Sequence, residues 1–145
     1  MQSWLATKLI SYLMTRLRAG DPRLLLWLDA PDVTLTFPGQ NSWSGRYQGR
    51  EAVGRWLARF IASGIETFPD EVIATGPPWR TRLVIRARDH LLDERGQVVY
   101  ENRYVIWGRM RWGRLKEYEV YEDTHKANVL DGWLAEHRPD LVLAG

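Results

Sequence analysis

The sequence predicts an α+β fold: a cone in which a curved antiparallel sheet wraps around N-terminal helices, followed by a short C-terminal helix. Three observations carry this expectation. Strong helical periodicity is confined to residues 4–19 and 49–63, whereas the second half of the chain is dominated by long runs rich in β-branched and aromatic residues. The order is helices, a strand, a helix and then several strands, not the strict alternation that builds a parallel sheet. The stretch from Val98 to Lys126 reads as a long hairpin, with Val98–Met110 and Leu115–Asp123 joined through Gly113.

Trp4–Ala19 is predicted as a helix. Leu5, Leu9, Leu13 and Leu17 recur at every fourth residue, and Gly20 suits the residue after its end. Asp21-Pro22 fits a helix start, with a short helix over Pro22–Leu28 that Pro31 stops. Val33–Phe37 alternates as a strand, and Pro38–Ser42 has turn composition. Trp43–Gln48 reads as a short strand or irregular loop. Gly49–Ser63 is a second amphipathic helix on Val53, Trp56, Leu57, Phe60 and Ile61, ended by Gly64. Glu66–Thr75 and Trp79–His90 are strands separated by Gly76-Pro77-Pro78, with a turn over Leu92–Gln97 before the hairpin. Asn128–His137 is a final helix, with a possible start at His125, after which the chain is expected to trail off from Pro139.

The 145 residues suit one domain spanning 1–145 with one core. No apolar run approaches the ~20 residues of a membrane span, and the N-terminus lacks a signal-peptide pattern, so a cytoplasmic protein with no membrane partner is the expectation. The absence of cysteine excludes disulfides and thiol chemistry. A net charge of +2 on scattered arginines lacks the dense basic stripe that nucleic acid requires. His90, His125 and His137 have no ligand spacing, and no phosphate-cradling glycine motif occurs, so no metal and no cofactor is expected. Eight tryptophans are the compositional anomaly, and some of them suit the wall of a cavity for a flat apolar molecule.

Period 2 sorts the hairpin into faces. Leu115, Glu117, Glu119, Tyr121 and Asp123 fall on one side of their run, with Lys116, Tyr118, Val120 and Glu122 opposite. Asn102, Tyr104 and Ile106 oppose Glu101, Arg103, Val105 and Trp107. A row that mixes acids with aromatic and apolar residues is what a pocket-lining face looks like. Tyr118, Val120, Val105 and Trp107 are read as an outer apolar face that a homodimer partner would cover.

The residues Y-E-N-R-Y-V at 100–105, the W-G-R-L turn and E-Y-E-V-Y-E-D-T at 117–124 resemble the terminal hairpin of the nuclear transport factor 2-like superfamily. The nearest branch is that of the SnoaL-like, polyketide-cyclase-like and ketosteroid-isomerase-like proteins, and the resemblance covers roughly Leu5 to His137. It implies a hydrophobic small-molecule ligand or substrate, with Asp123 as a cyclase-like general acid/base. The competing reading of Asp123 is a cap on the final helix. Trp27, Phe37, Trp43, Trp56, Asn102, Tyr104 and Tyr121 are the expected cavity residues. Glu117 and Glu119 share the predicted face of Asp123, and Tyr12 occupies a first-helix position like that of the isomerase tyrosine. The isomerase base would fall at Phe37, which cannot accept a proton. An epoxide-hydrolase-like reaction would need a carboxylate–Arg–carboxylate set that the sequence lacks in the expected order. A non-catalytic binding protein of the same fold is the alternative function.

Overall fold

A computed structural model describes residues 2–143. The elements in chain order are α1 (Ser3–Arg18), α2 (Arg23–Leu28), β1 (Asp29–Phe37), β2 (Gly45–Gln48), α3 (Arg50–Ser63), β3 (Glu66–Thr75), β4 (Thr81–Leu92), β5 (Val98–Arg111), β6 (Arg114–Glu122), α4 (Thr124–His137) and α5 (Pro139–Leu143). Six strands form one sheet in the order β2-β1-β6-β5-β4-β3. All neighbours are antiparallel except β1 and β6, which run parallel. The α+β cone is thus as expected. β1 begins at Asp29, four residues earlier than its alternation suggested, and α5 replaces the expected trailing end at Pro139. The final residues, 144 and 145, lie outside the described part of the chain.

Helix α1 buries Ala6, Ile10, Leu13 and Met14 against the sheet. The fourfold leucine spacing drifts about 40° per step around a helix of 3.6 residues per turn, so Leu5 ends up exposed and Leu13 buried. Gly20 (φ +81°) and Gly64 (φ +83°) take the left-handed conformation at the ends of α1 and α3, as their positions predicted. The hairpin between β5 and β6 closes through two residues, Trp112 and Gly113. Both have positive φ, the geometry that matches strand twist in a two-residue turn.

β-Bulges curve the sheet. One lies between Pro69 and Glu71 in β3, and another breaks the β5–β6 register: Arg109 faces Glu117, whereas Met110 faces Leu115. The second bulge has a large consequence. Leu115 points inward, the bulge takes up one residue, and from there Tyr118, Val120 and Glu122 are the inward row. The simple alternation read from the sequence therefore inverts beyond the bulge. Tyr118 and Val120, expected on an outer face, are core residues, and Glu117, Glu119 and Tyr121 face outward.

The C-terminal helices are fastened to α3 by a buried cation. Arg59 lies over the Trp43 ring at 3.9 Å, and its guanidinium donates to the carbonyl oxygens of Leu141 and Ser42. Ser42 in turn donates to Asp131 of α4 through its backbone N–H (2.6 Å) and its hydroxyl.

Candidate functional site

The sheet's concave face, α1, α3 and α4 enclose a cavity of about 130 Å³, roughly ten times what one water needs. Its wall is almost wholly apolar. One side is an aromatic cluster in which Trp56 stacks on Phe60 (5.6 Å between ring centres, 11° between planes), and Phe37 and Trp43 pack on Trp56 at 5.4 and 5.8 Å. Leu and Ile side chains from α1, β4 and α4 complete it.

Polar groups converge at one end. Asp89 on β4, Tyr100 and Tyr104 on β5, Glu122 on β6 and Thr67 on β3 all reach the cavity. β-Pairing explains the convergence, because Asp89 faces Asn102 across β4–β5 and Tyr104 faces Glu122 across β5–β6. Asn102 is buried and holds the group together. Its amide nitrogen donates to the Tyr100 hydroxyl (3.1 Å), to Glu122 Oε2 (3.3 Å) and to the backbone oxygen of Asp123 (3.0 Å). Thr67 and Tyr104 share a hydroxyl–hydroxyl hydrogen bond. Asp89 Oδ1 has no partner among the described residues.

No Arg, Lys or His is among the residues that line this cavity. Burial without a compensating cation therefore raises both acids. Asp89 moves from 3.8 to about 7, through desolvation. Glu122 moves from 4.5 to about 8, through desolvation and then repulsion by Asp89 and Asp123. Desolvation also pushes the Tyr100 and Tyr104 phenols up, so both stay protonated and can donate. The wall thus presents two carboxyl groups poised near neutrality beside hydrogen-bond donors, and proton transfer to and from a bound molecule is the chemistry such groups perform.

The residues singled out in the sequence divide clearly. Phe37, Trp43, Trp56 and Tyr104 line the cavity, and Asn102 organises its polar end. Tyr12 is 57% exposed on the outer side of α1, and Trp27 is 62% exposed beneath the Arg114 guanidinium. Tyr121, Glu119 and Glu117 are on the sheet's outer face, where Tyr121 donates to Glu119 and Glu117 pairs with Arg109. Asp123 is exposed, and its Oδ1 accepts the backbone N–H groups of His125 (3.0 Å) and Lys126 (3.4 Å), capping α4. Asp123→Ala should cost about 1 kcal/mol of stability through loss of the cap, measurable as a lower thermal midpoint with cavity binding retained.

Asp89 and Glu122 were not singled out by sequence. A signal existed for Asp89, an acid in the inward row Leu83, Ile85, Ala87, Asp89, Leu91. None existed for Glu122, whose direction depends on the bulge. Among the described residues no cluster of His, Asp and Glu is arranged to hold a metal ion, and no helix is long and apolar enough to cross a membrane.

A family model for the SnoaL-like domain matches residues 10–118. Among solved structures, Bal32a from a soil-derived mobile gene cassette is similar at a TM-score of 0.71 and 17% identity, over 84% of this chain and 92% of that one. TerC, crystallised with polyporic acid, is similar at 0.66 and 22%, over 94% and 97%. A nuclear transport factor 2-like protein from Burkholderia xenovorans is similar at 0.61 and 19%, over 88% and 95%. At these identities the structural likeness speaks for the fold alone. Comparison with curated protein sequences returns no significant match.

Proposed function

The chain belongs to the SnoaL-like domain family, of the nuclear transport factor 2-like fold, and from that premise and its cavity we propose an enzyme that moves protons on a hydrophobic, carbonyl-bearing small molecule. The observation that carries this reading is the convergence of two buried carboxyl groups, Asp89 and Glu122, at one end of an apolar cavity that lacks cations. A fold neighbour, TerC, was crystallised with a small molecule, polyporic acid, in keeping with a ligand-holding cone.

The roles follow from chemistry. Near neutral pH the pair holds about one proton, because burial raises both carboxyl groups and the Asp89 charge raises Glu122 further. Asp89, the more acidic, serves as base and takes a proton from the carbon next to the substrate carbonyl. The C–H electron pair becomes the enolate π bond, and the negative charge moves to oxygen. Protonated Glu122 or the Tyr100 hydroxyl donates to that oxygen. Tyr100 accepts from Asn102, which leaves its own proton free to point into the cavity. Return of the proton to the same or another carbon gives exchange or isomerisation; attack of the enolate carbon on a second carbonyl carbon of the same molecule, with the C=O π pair moving to that oxygen and the proton following it there, gives ring closure. Asp123, one residue beyond Glu122, acts as the helix cap and not as the acid/base. The epoxide-hydrolase-like alternative needs an arginine between two carboxylates, and none lines the cavity.

The test is proton exchange. 2-Tetralone, a bicyclic ketone, is incubated with the protein in D₂O, and loss of its α-proton signals is followed by NMR. Acceleration over buffer at equal pH is the expected result. Binding of the ketone, seen as a change in tryptophan fluorescence, without acceleration would favour the non-catalytic binding reading.

We also propose that the protein is a homodimer through the outer face of β4–β6. With Tyr118 and Val120 inside, the apolar outer groups are Val84 facing Trp107, and Val105 facing Tyr121, ringed by Arg82, Arg86, Arg103 and Arg109. Trp107→Glu should convert a dimer to a monomer in size-exclusion chromatography with light scattering, with the cavity intact.

A further inference from the structure

A second set of buried polar groups lies away from Asp89 and Glu122. Tyr118 lines the cavity at the level where it pairs with Gly108 of β5 and Leu35 of β1. It is 6% exposed, and its hydroxyl has no hydrogen-bond partner among the described residues. Asp29, at the start of β1, is 0% exposed, and both of its carboxylate oxygens are likewise without partners. Arg50 donates to the backbone oxygen of Asp29 and not to its carboxylate. Asp29 is close enough to Tyr118 for its charge to act on the phenol. Two buried groups that can donate and accept hydrogen bonds are thus unused, one of them on the cavity wall.

The two polar ends are set by the strand. Tyr118 and Glu122 are four residues apart on β6 with Val120 between them on the same inward row, a separation on the order of 13 Å at ~3.3 Å per residue. Ile106 and Val120 line the cavity between them.

We propose that the Tyr118 hydroxyl is a second ligand anchor, so that the cavity takes an elongated apolar molecule with an oxygen function at each end. Tyr118 meets a carbonyl or hydroxyl oxygen at one end while Asp89 and Glu122 engage the other. Desolvation pushes the Tyr118 phenol well above 10, so it is the protonated, donating form that faces the ligand. The anchor rests on the cavity-binding reading above and adds to it the shape and functional-group spacing of the ligand.

Three probes separate the two ideas: trans-stilbene, 4-hydroxystilbene and 4,4′-dihydroxystilbene, titrated against tryptophan fluorescence. In the wild type the second hydroxyl is expected to tighten binding roughly tenfold over the monohydroxy probe. Tyr118→Phe should erase that gain and leave 4-hydroxystilbene unchanged. The thermal midpoint of ligand-free Tyr118→Phe should be no lower than wild type, because only an unpartnered hydroxyl is removed. The anchor is overturned if the second hydroxyl adds nothing in the wild type, or if Tyr118→Phe weakens both hydroxylated probes alike. Failure of all three probes to bind would instead remove the cavity reading, and the anchor with it.

Discussion

Asp89→Asn is expected to slow α-proton exchange on 2-tetralone by roughly 10²–10⁴-fold, the range associated with removing a positioned base. Asparagine keeps the shape and cannot accept the proton. Glu122→Gln should also slow exchange, by less where the Tyr100 hydroxyl still supports the enolate oxygen. The wild-type rate should follow a bell against pH, because the reaction needs the pair to hold one proton. Its limbs should fall near the two values to which burial raises the acids, about 7 for Asp89 and about 8 for Glu122. Asp123→Asn should leave the profile in place. If Asp123→Asn abolishes exchange while Asp89→Asn does not, the assignment of the base is wrong.

The same substitution should make the protein more stable above neutrality. Asp29, Asp89 and Glu122 all have folded pKa values above their ordinary ones, at about 7, 7 and 8. The native state therefore holds these protons more tightly than the unfolded chain. The resulting contribution is full below the ordinary carboxyl range. It is lost as pH rises from about 4 through the folded values. Between pH 5 and pH 8.5 the thermal midpoint of the wild type should fall. Asp89→Asn should flatten that slope and be more stable at pH 8.5 by about 4 kcal/mol, with little change at pH 4. Parallel thermal melts across this range read the effect directly. A slope identical in wild type and variant would mean that Asp89 is not a buried acid.

Much of the architecture was legible in the sequence because it rests on local chemistry. The helices themselves, the glycines after α1 and α3, and the Trp112-Gly113 turn all act within a few residues, and each appears where expected. The cavity's aromatic wall was legible for Phe37, Trp43 and Trp56 because large aromatics on inward-facing elements have few other places to go. At the polar end Asn102 and Tyr104 were legible, and the acids Asp89 and Glu122 were not. Strand phase is exact only while pairing is regular, and the bulge opposite Arg109–Met110 is a property of two strands together. It exchanged the faces of β6, so that Glu122 faces the cavity and Glu117, Glu119 and Tyr121 do not. The cap at Asp123 was available from D-T-H-K alone. Tyr12 missed the cavity because α1 buries Ala6, Ile10, Leu13 and Met14, a stripe turned away from it.

The parallel pairing of β1 with β6 also governs how this chain is born. Val33, Leu35 and Phe37 leave the ribosome early, yet the strand that covers their edge is Arg114–Glu122, some eighty residues downstream. At ordinary synthesis rates of ~5–20 residues per second, that gap is on the order of ten seconds. During it the β1–β2 ribbon has no neighbour on one side, and its apolar row has no sheet to join. Closure of the cone is therefore a late, long-range event, set by loop-closure entropy and not by helix formation. Nascent chains halted before residue 114 should stay protease-sensitive throughout β1, and full-length chains should gain β1 protection and ligand affinity in one step.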